Sequence, residues 1–294
     1  MDYQLFCFPG NEPLGRRLLD HPGLQAGEAT LRRFPDGESY VRIRSDVQGK
    51  RVGVLCTLHR PDDKLMQLFF FSLLAKQRGA RSVTLIAPYL AYMRQDKAFQ
   101  PGEAVTSELF AGLLSDWVDA LVTVDPHLHR HRSLSEIYHI PTQVVHVEPL
   151  IVRYLEKHVS RPVLIGPDEE SRQWVAGVAD KAGCPFLVLQ KERLGDREVR
   201  VAVPEAPKFR QHTPVLVDDI ISTGRTMLET TRHLQEHGLP PPVCIGAHAV
   251  FAGHAWREMQ QAGIRQVVTS NTIAHPTNKL DVAGLLTEQL RELR

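Results

Sequence analysis

Two adjacent carboxylates followed by a turn rich in hydroxyls and glycine form the most chemically suggestive group in the chain. Residues 214–234 read PVLVDDIISTGRTMLETTRHL. An apolar strand ends in Asp218 and Asp219, and the turn Ser222-Thr223-Gly224-Arg225-Thr226 then opens a helix. In open α/β sheets, ligands bind beyond the carboxyl ends of strands. A helix N-terminus there offers unpaired N–H groups and the positive end of a dipole, both suited to a phosphate. The Ser and Thr hydroxyls add donors, and Gly224 permits close backbone approach. The two acids are too close to a phosphate to be its ligands; they suit a sugar diol or a Mg²⁺-bridged group beside it. An N-cap cluster at an ordinary strand–helix junction is the plainer alternative, but capping does not need paired acids at a strand end.

Other groups are more ambiguous when taken alone. Arg94-Gln95-Asp96-Lys97 follows a strand that ends at a Pro-Tyr pair. An Arg offers a planar fork for phosphate oxygens, and a Gln can donate and accept; a solvated charged loop explains the same residues. Asp125, His127, His129 and His131 alternate at a strand end, which puts them on one side of extended chain. Their spacing mimics a zinc site, but no fourth ligand is evident, and structural zinc wants thiolates or a closed set. Lys191 and Arg193 stand two apart in KERLGDRE, and on composition alone they are a solvated pair. Phe34, Asp36 and Glu38 lie on FPDGE, a hairpin or loop around Gly37 for which a plain turn is the simplest reading. No GxxxxGK[ST] occurs, so if ATP is used it is not held by a P-loop. No GxSxG nucleophile elbow occurs either. Cys7, Cys56, Cys184 and Cys244 are far apart and form no CxxC pair. They read as reduced core thiols of a cytoplasmic protein.

The elements that must position these residues follow a repeating grammar. Short runs of Val, Ile and Leu at 52–55, 83–87, 121–124, 163–165, 186–189, 215–217, 243–247 and 266–269 suit buried strands of a parallel sheet. Between them lie helix candidates at 64–78, 107–114, 170–182 and 226–237, three of them followed by Gly79, Gly183 or Gly238 as C-cap signals. Strand, helix, Gly, strand is βαβ, so the class is α/β. The grammar repeats about 160 residues later, which points to a tandem duplication with a boundary near residues 145–149. The expected domains are 1–146 and 147–294, with the final helix, 282–293, able to pack on either.

Bulk properties narrow the function class. The chain has 294 residues, enough for about two domains. Its net charge of +1 lacks the basic excess of a general nucleic-acid binder. No run of 18 apolar residues suggests a membrane span. The opening MDYQLFCFPGNEP has no basic segment leading into an apolar one, so no secretory leader is expected.

Residues 214–234 resemble the 5-phosphoribosyl-1-diphosphate (PRPP) loop of the type I phosphoribosyltransferase fold. Five further segments resemble those of one family built on that fold, the ribose-phosphate pyrophosphokinases: RRFPDGESYVRI (32–43), PYLAYMRQDKAFQPGEAVTSELFAGLL (88–114), VDPHLH (124–129), IGPDEES (165–171) and QKERLGDREV (190–199). Six motifs in family order are far more specific than any one of them. The resemblance implies two tandem phosphoribosyltransferase-like domains, each a mainly parallel sheet flanked by helices. It implies a transfer of the β,γ-diphosphoryl group of Mg·ATP to the C1 hydroxyl of ribose 5-phosphate. Arg94, Gln95, Asp96 and Lys97 would then hold ATP, while Phe34, Asp36 and Glu38 would serve the ATP site of a neighbouring subunit. The expected assembly is a homo-oligomer of dimers, tetrameric or hexameric. His127 and Asp125 would hold Mg²⁺, and Asp168 would engage the ribose or a second Mg²⁺; His129 and His131 are expected at the surface. Lys191 and Arg193 would stabilise the transferring group.

The chain departs from the common family pattern in three places. Ser222 stands where an acid is frequent, Arg225 stands where Gly is usual, and Glu169 and Glu170 replace small residues. Arg225 either restricts the loop or adds a cation beside the 5-phosphate. Two rival readings are a non-catalytic binding relative, favoured by Arg225 with Glu169 and Glu170, and a phosphoribosyltransferase, which leaves the FPDGE, RQDK and KER segments unexplained.

Overall fold

Runs of Val, Ile and Leu bury both faces of a strand, which a parallel sheet covered by helices satisfies. A computed structural model describes residues 3–128, 130–166, 171–193, 199–202 and 206–293. Internal packing divides the chain into two units. The first runs to Val145 and takes back Thr272–Ala274 and the chain from Val282; the second holds His146–Asn271 and His275–Asp281.

The first unit contains β1 (Tyr3–Cys7), α1 (Glu12–Leu19), β2 (Leu24–Ala26), β3 (Ala29–Arg33), β4 (Ser39–Ile43), β5 (Arg51–Leu55), α2 (Asp62–Gln77), β6 (Ser82–Ala87), α3 (Thr106–Trp117), β7 (Ala120–Val124) and β8 (Thr142–Val145). Its six-stranded sheet has the order β2-β1-β5-β6-β7-β8, and every pairing is parallel. β3 and β4 form a separate antiparallel hairpin. Phe71 of α2 packs edge-on against Phe6 and Phe8, with ring centroids 5.0 and 5.6 Å away. Asp62 and Asp63 open α2, where carboxylates favour the positive helix end. This is why the helix starts two residues earlier than its apolar pattern suggests.

The second unit contains α4 (Glu148–His158), β9 (Pro162–Gly166), α5 (Arg172–Ala182), β10 (Phe186–Val188), β11 (Gln190–Arg193), β12 (Val199–Ala202), β13 (Thr213–Ile221), α6 (Arg225–Glu236), β14 (Val243–Ala249), α7 (Ala255–Gln261), β15 (Gln266–Ser270) and β16 (Asn278–Leu280). Its parallel sheet has the order β10-β9-β13-β14-β15-β16. The closing helix α8 (Ala283–Glu292) belongs to the first unit. There Arg51 donates to the Leu293 carbonyl at 2.6 Å and to the Tyr3 hydroxyl at 2.7 Å.

The two sheets share one topology. In each, the second strand lies outside the first, a hairpin follows it in sequence, and the remaining strands continue on the other side. β3–β4 and β11–β12 are therefore equivalent insertions, and β5 and β13 are equivalent central strands. The α/β class with a duplicated parallel sheet, expected from the sequence, is what the chain adopts.

One local expectation is corrected. Asp218 and Asp219 do not end their strand; β13 continues to Ile221. Its pairing with β9 stops at Leu216 opposite Ile165, while its pairing with β14 continues to Ile221 opposite Ala249. The acids thus lie on a strand extension hydrogen-bonded along one edge, which an apolar-run reading misses.

Candidate active site

In a sheet where strand order reverses, the crevice lies outside the carboxyl ends of the two strands flanking the reversal. In the second unit those strands are β9 and β13. Asp218 and Asp219 are half-buried on the β13 extension, and the Asp219 N–H donates to Asp218 Oδ1 at 2.9 Å. Gly224 precedes α6 with φ +67°, and no side chain caps the helix. No acid occupies the first turn of α6 either. The first turn of α6 thus carries no carboxylate of its own, which leaves the positive helix end suited to an anion. Arg225 is exposed and is the first residue of α6. It is absent from the residues of positive φ, so its side chain does not strain the loop. Ser222 accepts the Ala252 N–H through its carbonyl at 3.1 Å, which fastens the loop to the segment after β14.

The equivalent crevice of the first unit, between β1 and β5, is bridged by the chain's own hydrogen bonds. Asn11 Oδ1 accepts the Thr57 N–H at 2.9 Å, and the Asn11 amide donates to the Phe8 carbonyl at 3.0 Å. Lys64 Nζ donates to the carbonyls of Thr57 and His59 at 2.7 and 2.6 Å. Asp62 and Asp63 open the following helix, so its positive end already has carboxylates beside it. His59 is held below its ordinary pKa by burial and by the cations of Lys64 and Arg60.

The chemically suggestive residues of the first unit instead follow β6 and β7. Tyr92 has φ +63°, its hydroxyl donates to Asp62 Oδ1, and its ring centroid lies 4.7 Å from that of Phe110. The bond to Asp62, with burial, pushes the phenol up to about 12. Arg94 and Lys97 are exposed, and Gln95 is half-buried. Thr106 Oγ1 donates to Gln95 Oε1 at 3.2 Å. Asp96 pairs with Arg130 Nε at 3.3 Å. Asp125 has φ +31°, and its N–H donates to the Val145 carbonyl at 2.9 Å. A carboxylate there and the imidazole of His127, both half-buried, fit Mg²⁺, which keeps several waters and needs few protein ligands.

The FPDGE tip is a closed turn. The Phe34 N–H donates to the Glu38 carbonyl at 2.8 Å, and the Glu38 N–H donates to Asp36 Oδ1 at 3.1 Å. Arg32 lies over the Phe34 and Tyr40 rings, 4.5 and 4.2 Å from their centroids. Phe34, Asp36 and Glu38 are all exposed.

Asp168, Glu169, Glu170 and His129 lie outside the described residues. Lys191 and Arg193 fall on β11, opposite Val201 and Val199 of β12. His131 is not the surface residue expected: its side chain is 14% exposed, with Nδ1 3.4 Å from Glu136 Oε2. The short helical turn Leu134–Glu136 folds that carboxylate back onto it. Sequence reasoning overlooked Tyr92, Arg130, Asn11 and Lys64. Tyr92 lies within the 88–114 segment but offers no charge to notice, and Arg130 falls one residue beyond VDPHLH.

Residues 3–117 match the family model described as the N-terminal domain of ribose phosphate pyrophosphokinase. Residues 133–282 match the phosphoribosyl transferase domain. The ribose-phosphate pyrophosphokinase of Methanopyrus kandleri is 33% identical over 282 residues, covering 95% of this chain and 96% of that protein. That of Methanothermobacter thermautotrophicus is 31% identical over 276 residues, covering 94% of each. The crystal structure of phosphoribosylpyrophosphate synthetase from Mycobacterium smegmatis aligns with a TM-score of 0.87 at 25% identity, over 100% of this chain and 99% of that one.

Proposed function

Because the chain belongs to the ribose-phosphate pyrophosphokinase family, we propose that it transfers the β,γ-diphosphoryl group of ATP to the C1 hydroxyl of ribose 5-phosphate. The C1 oxygen attacks the β-phosphorus, the bond from that phosphorus to the α,β-bridging oxygen breaks, and AMP leaves with that oxygen. The C1 hydroxyl proton is lost to solvent, and PRPP is the second product.

The observation that carries this reading is the contrast between the two crevices. The second unit's helix α6 opens without acid or side-chain cap, while the first unit's equivalent is bridged by Asn11 and Lys64. Ser222, Thr223, Gly224, Arg225 and Thr226 hold the 5-phosphate at that helix end. Asp218 and Asp219 hold the ribose hydroxyls beside it. Arg94, Gln95 and Lys97 hold the polyphosphate of ATP as forked and point-like donors. Phe34, Asp36 and Glu38, exposed on their hairpin, serve the adenine of a neighbouring subunit, so activity needs a homo-oligomer. Lys191 and Arg193 stabilise the charge that builds on the transferring group.

Asp125, His127 and Asp168 would hold Mg²⁺, which when bound supplies charge neutralisation on the polyphosphate. Among the described residues no helix is long and apolar enough to cross a membrane; the cytoplasm is the proposed location.

The test is AMP release. Purified protein is incubated with ATP and Mg²⁺, with and without ribose 5-phosphate, and the nucleotides are resolved by chromatography. AMP appearing only with the sugar phosphate, in step with PRPP, is the expected result. ATP left intact by folded protein favours the non-catalytic binding reading, and consumption of PRPP with a base favours the phosphoribosyltransferase reading.

A further inference from the structure

We propose that Asp96 is a positioning residue rather than a nucleotide ligand: paired with Arg130, it clasps the Arg94–Gln95 segment to the stretch that carries Asp125 and His127. The proposal rests on the reading of residues 94–97 as the ATP-side segment.

The geometry comes first. Asp96 Oδ1 lies 3.3 Å from Arg130 Nε, and the Asp96 side chain is only 7% exposed. A carboxylate so nearly removed from water is costly to bury without a partner of opposite charge, and Arg130 is that partner. Arg130 is itself 44% exposed, so the pair joins a buried carboxylate to a guanidinium at the surface. The two residues come from loops that leave adjacent strands, β6 and β7. One ion pair therefore ties the loop of Arg94 and Gln95 to the loop of Asp125 and His127.

Chemistry argues the same way. The polyphosphate of ATP is strongly anionic. A bare carboxylate next to Arg94 would repel it and cancel the cation that Arg94 offers. Neutralised by Arg130, Asp96 no longer opposes the ligand.

The other side of the segment is already fastened. Tyr92 holds a left-handed backbone that a bulky residue rarely adopts, and such strain persists only where the surroundings enforce it. Here its hydroxyl bonds to Asp62, its ring packs on Phe110, and its carbonyl accepts Thr106 Oγ1 at 3.4 Å. The Ser107 N–H also donates to the Gln95 carbonyl at 3.3 Å. Arg94 and Gln95 thus sit between an anchor at Tyr92 and the clasp at Asp96. Releasing the clasp should loosen how ATP is held without altering the chemistry of ATP already bound.

The experiment uses the full-length protein with Mg²⁺, ATP and ribose 5-phosphate. The variants are Asp96→Ala, Arg130→Ala, the double variant, and the exchanged pair Asp96→Arg with Arg130→Asp; thermal melts check that each is folded. Each single variant should raise KM for ATP about tenfold, with kcat and KM for ribose 5-phosphate unchanged. The double variant should be no worse than the singles, and the exchanged pair should recover most of the loss. A defect in Asp96→Ala that Arg130→Ala lacks would mean that Asp96 contacts the nucleotide directly. Multiplicative losses in the double variant, or an exchanged pair as weak as the double, would also overturn the clasp. Arg94→Ala is the reference. If it leaves KM for ATP unchanged, the ATP-side assignment of the segment fails; if it raises KM while the clasp variants do not, only the clasp fails.

Discussion

Gly224 and Met259 approach closely: a Cβ at 224 would lie 3.1 Å from Met259 Sδ and 3.3 Å from its Cγ, so the Met259 side chain would have to give way. The backbone adds a second restriction, because φ is +67° immediately before α6 and a side chain there costs energy. Gly224→Ala should therefore lower stability by about 1–3 kcal/mol and raise KM for ribose 5-phosphate. A thermal melt and a sugar-phosphate titration check both. A variant with the parent Tm and KM would show that the loop relaxes freely and does not hold the sugar phosphate.

Arg225 is one of two residues at which this loop departs from the common family pattern. Its backbone is helical and its side chain exposed, so it adds a cation without distorting the turn. Arg225→Ala should raise KM for ribose 5-phosphate about tenfold, the size of a lost charge-assisted hydrogen bond, and leave kcat unchanged. The penalty should shrink in high salt, since an exposed charge is screened. A drop in kcat with constant KM would assign Arg225 to the transferring group instead.

The Lys191 ammonium acts, on the proposed mechanism, when charge shifts onto the transferring diphosphoryl group. An interaction made only in the transition state lowers kcat and kcat/KM together when removed. Lys191→Ala should therefore cut kcat by about a hundredfold or more, with ATP binding by calorimetry little changed. A raised KM with the parent kcat would reduce Lys191 to a ground-state ligand.

Much of this arrangement was legible in the residues. Gly79, Gly183 and Gly238 all carry positive φ at helix ends, as their positions after apolar-periodic stretches suggest. The Val-rich runs became the central strands β5, β6, β7, β9, β13, β14 and β15. What escaped has physical reasons. β1 was hidden because Gln4, buried within it, interrupts the apolar run. α1 carries Pro13 and Gly15, poor helix formers, and α7 spans only Ala255–Gln261, so neither offers a long apolar repeat. Arg60, Tyr92, Asp125 and Phe251 adopt positive φ beyond the carboxyl ends of β5, β6, β7 and β14. No local propensity encodes those conformations; they exist because packed neighbours impose them. Nor does sequence show that the first crevice is bridged, since Asn11 and Thr57 are joined only by the fold.

The four thiols offer a check on the core itself. Burial raises Cys56 to about 12, and Cys7 and Cys184 each to about 11. Cys244 is raised as well. Since the thiolate is the nucleophile, native protein should react slowly with a disulfide reagent near neutral pH. Cys56 and Cys244, fully buried, should lag behind the other two. All four should react at once in denaturant, giving a measured ratio of fast to slow thiols. Immediate reaction of four thiols in native buffer would contradict the packing of both units.

His59 provides a pH test of the bridged crevice. Burial, then the cations of Lys64 and Arg60, hold its folded-state pKa below the ordinary value. The unfolded chain therefore takes up this proton first as pH falls. Stability from the neutral imidazole is present above the ordinary pKa of about 6.5 and is lost as pH drops through that value toward the lower folded-state pKa. His275, also lowered by burial, acts in the same direction, so the acid loss should shrink in His59→Gln without vanishing. Melting temperatures at about pH 7.5 and about pH 5.5 measure it. The fall in Tm between them should be smaller for His59→Gln than for the parent. An equal fall in both would mean that His59 is solvated, and that Lys64 does not close the crevice over it.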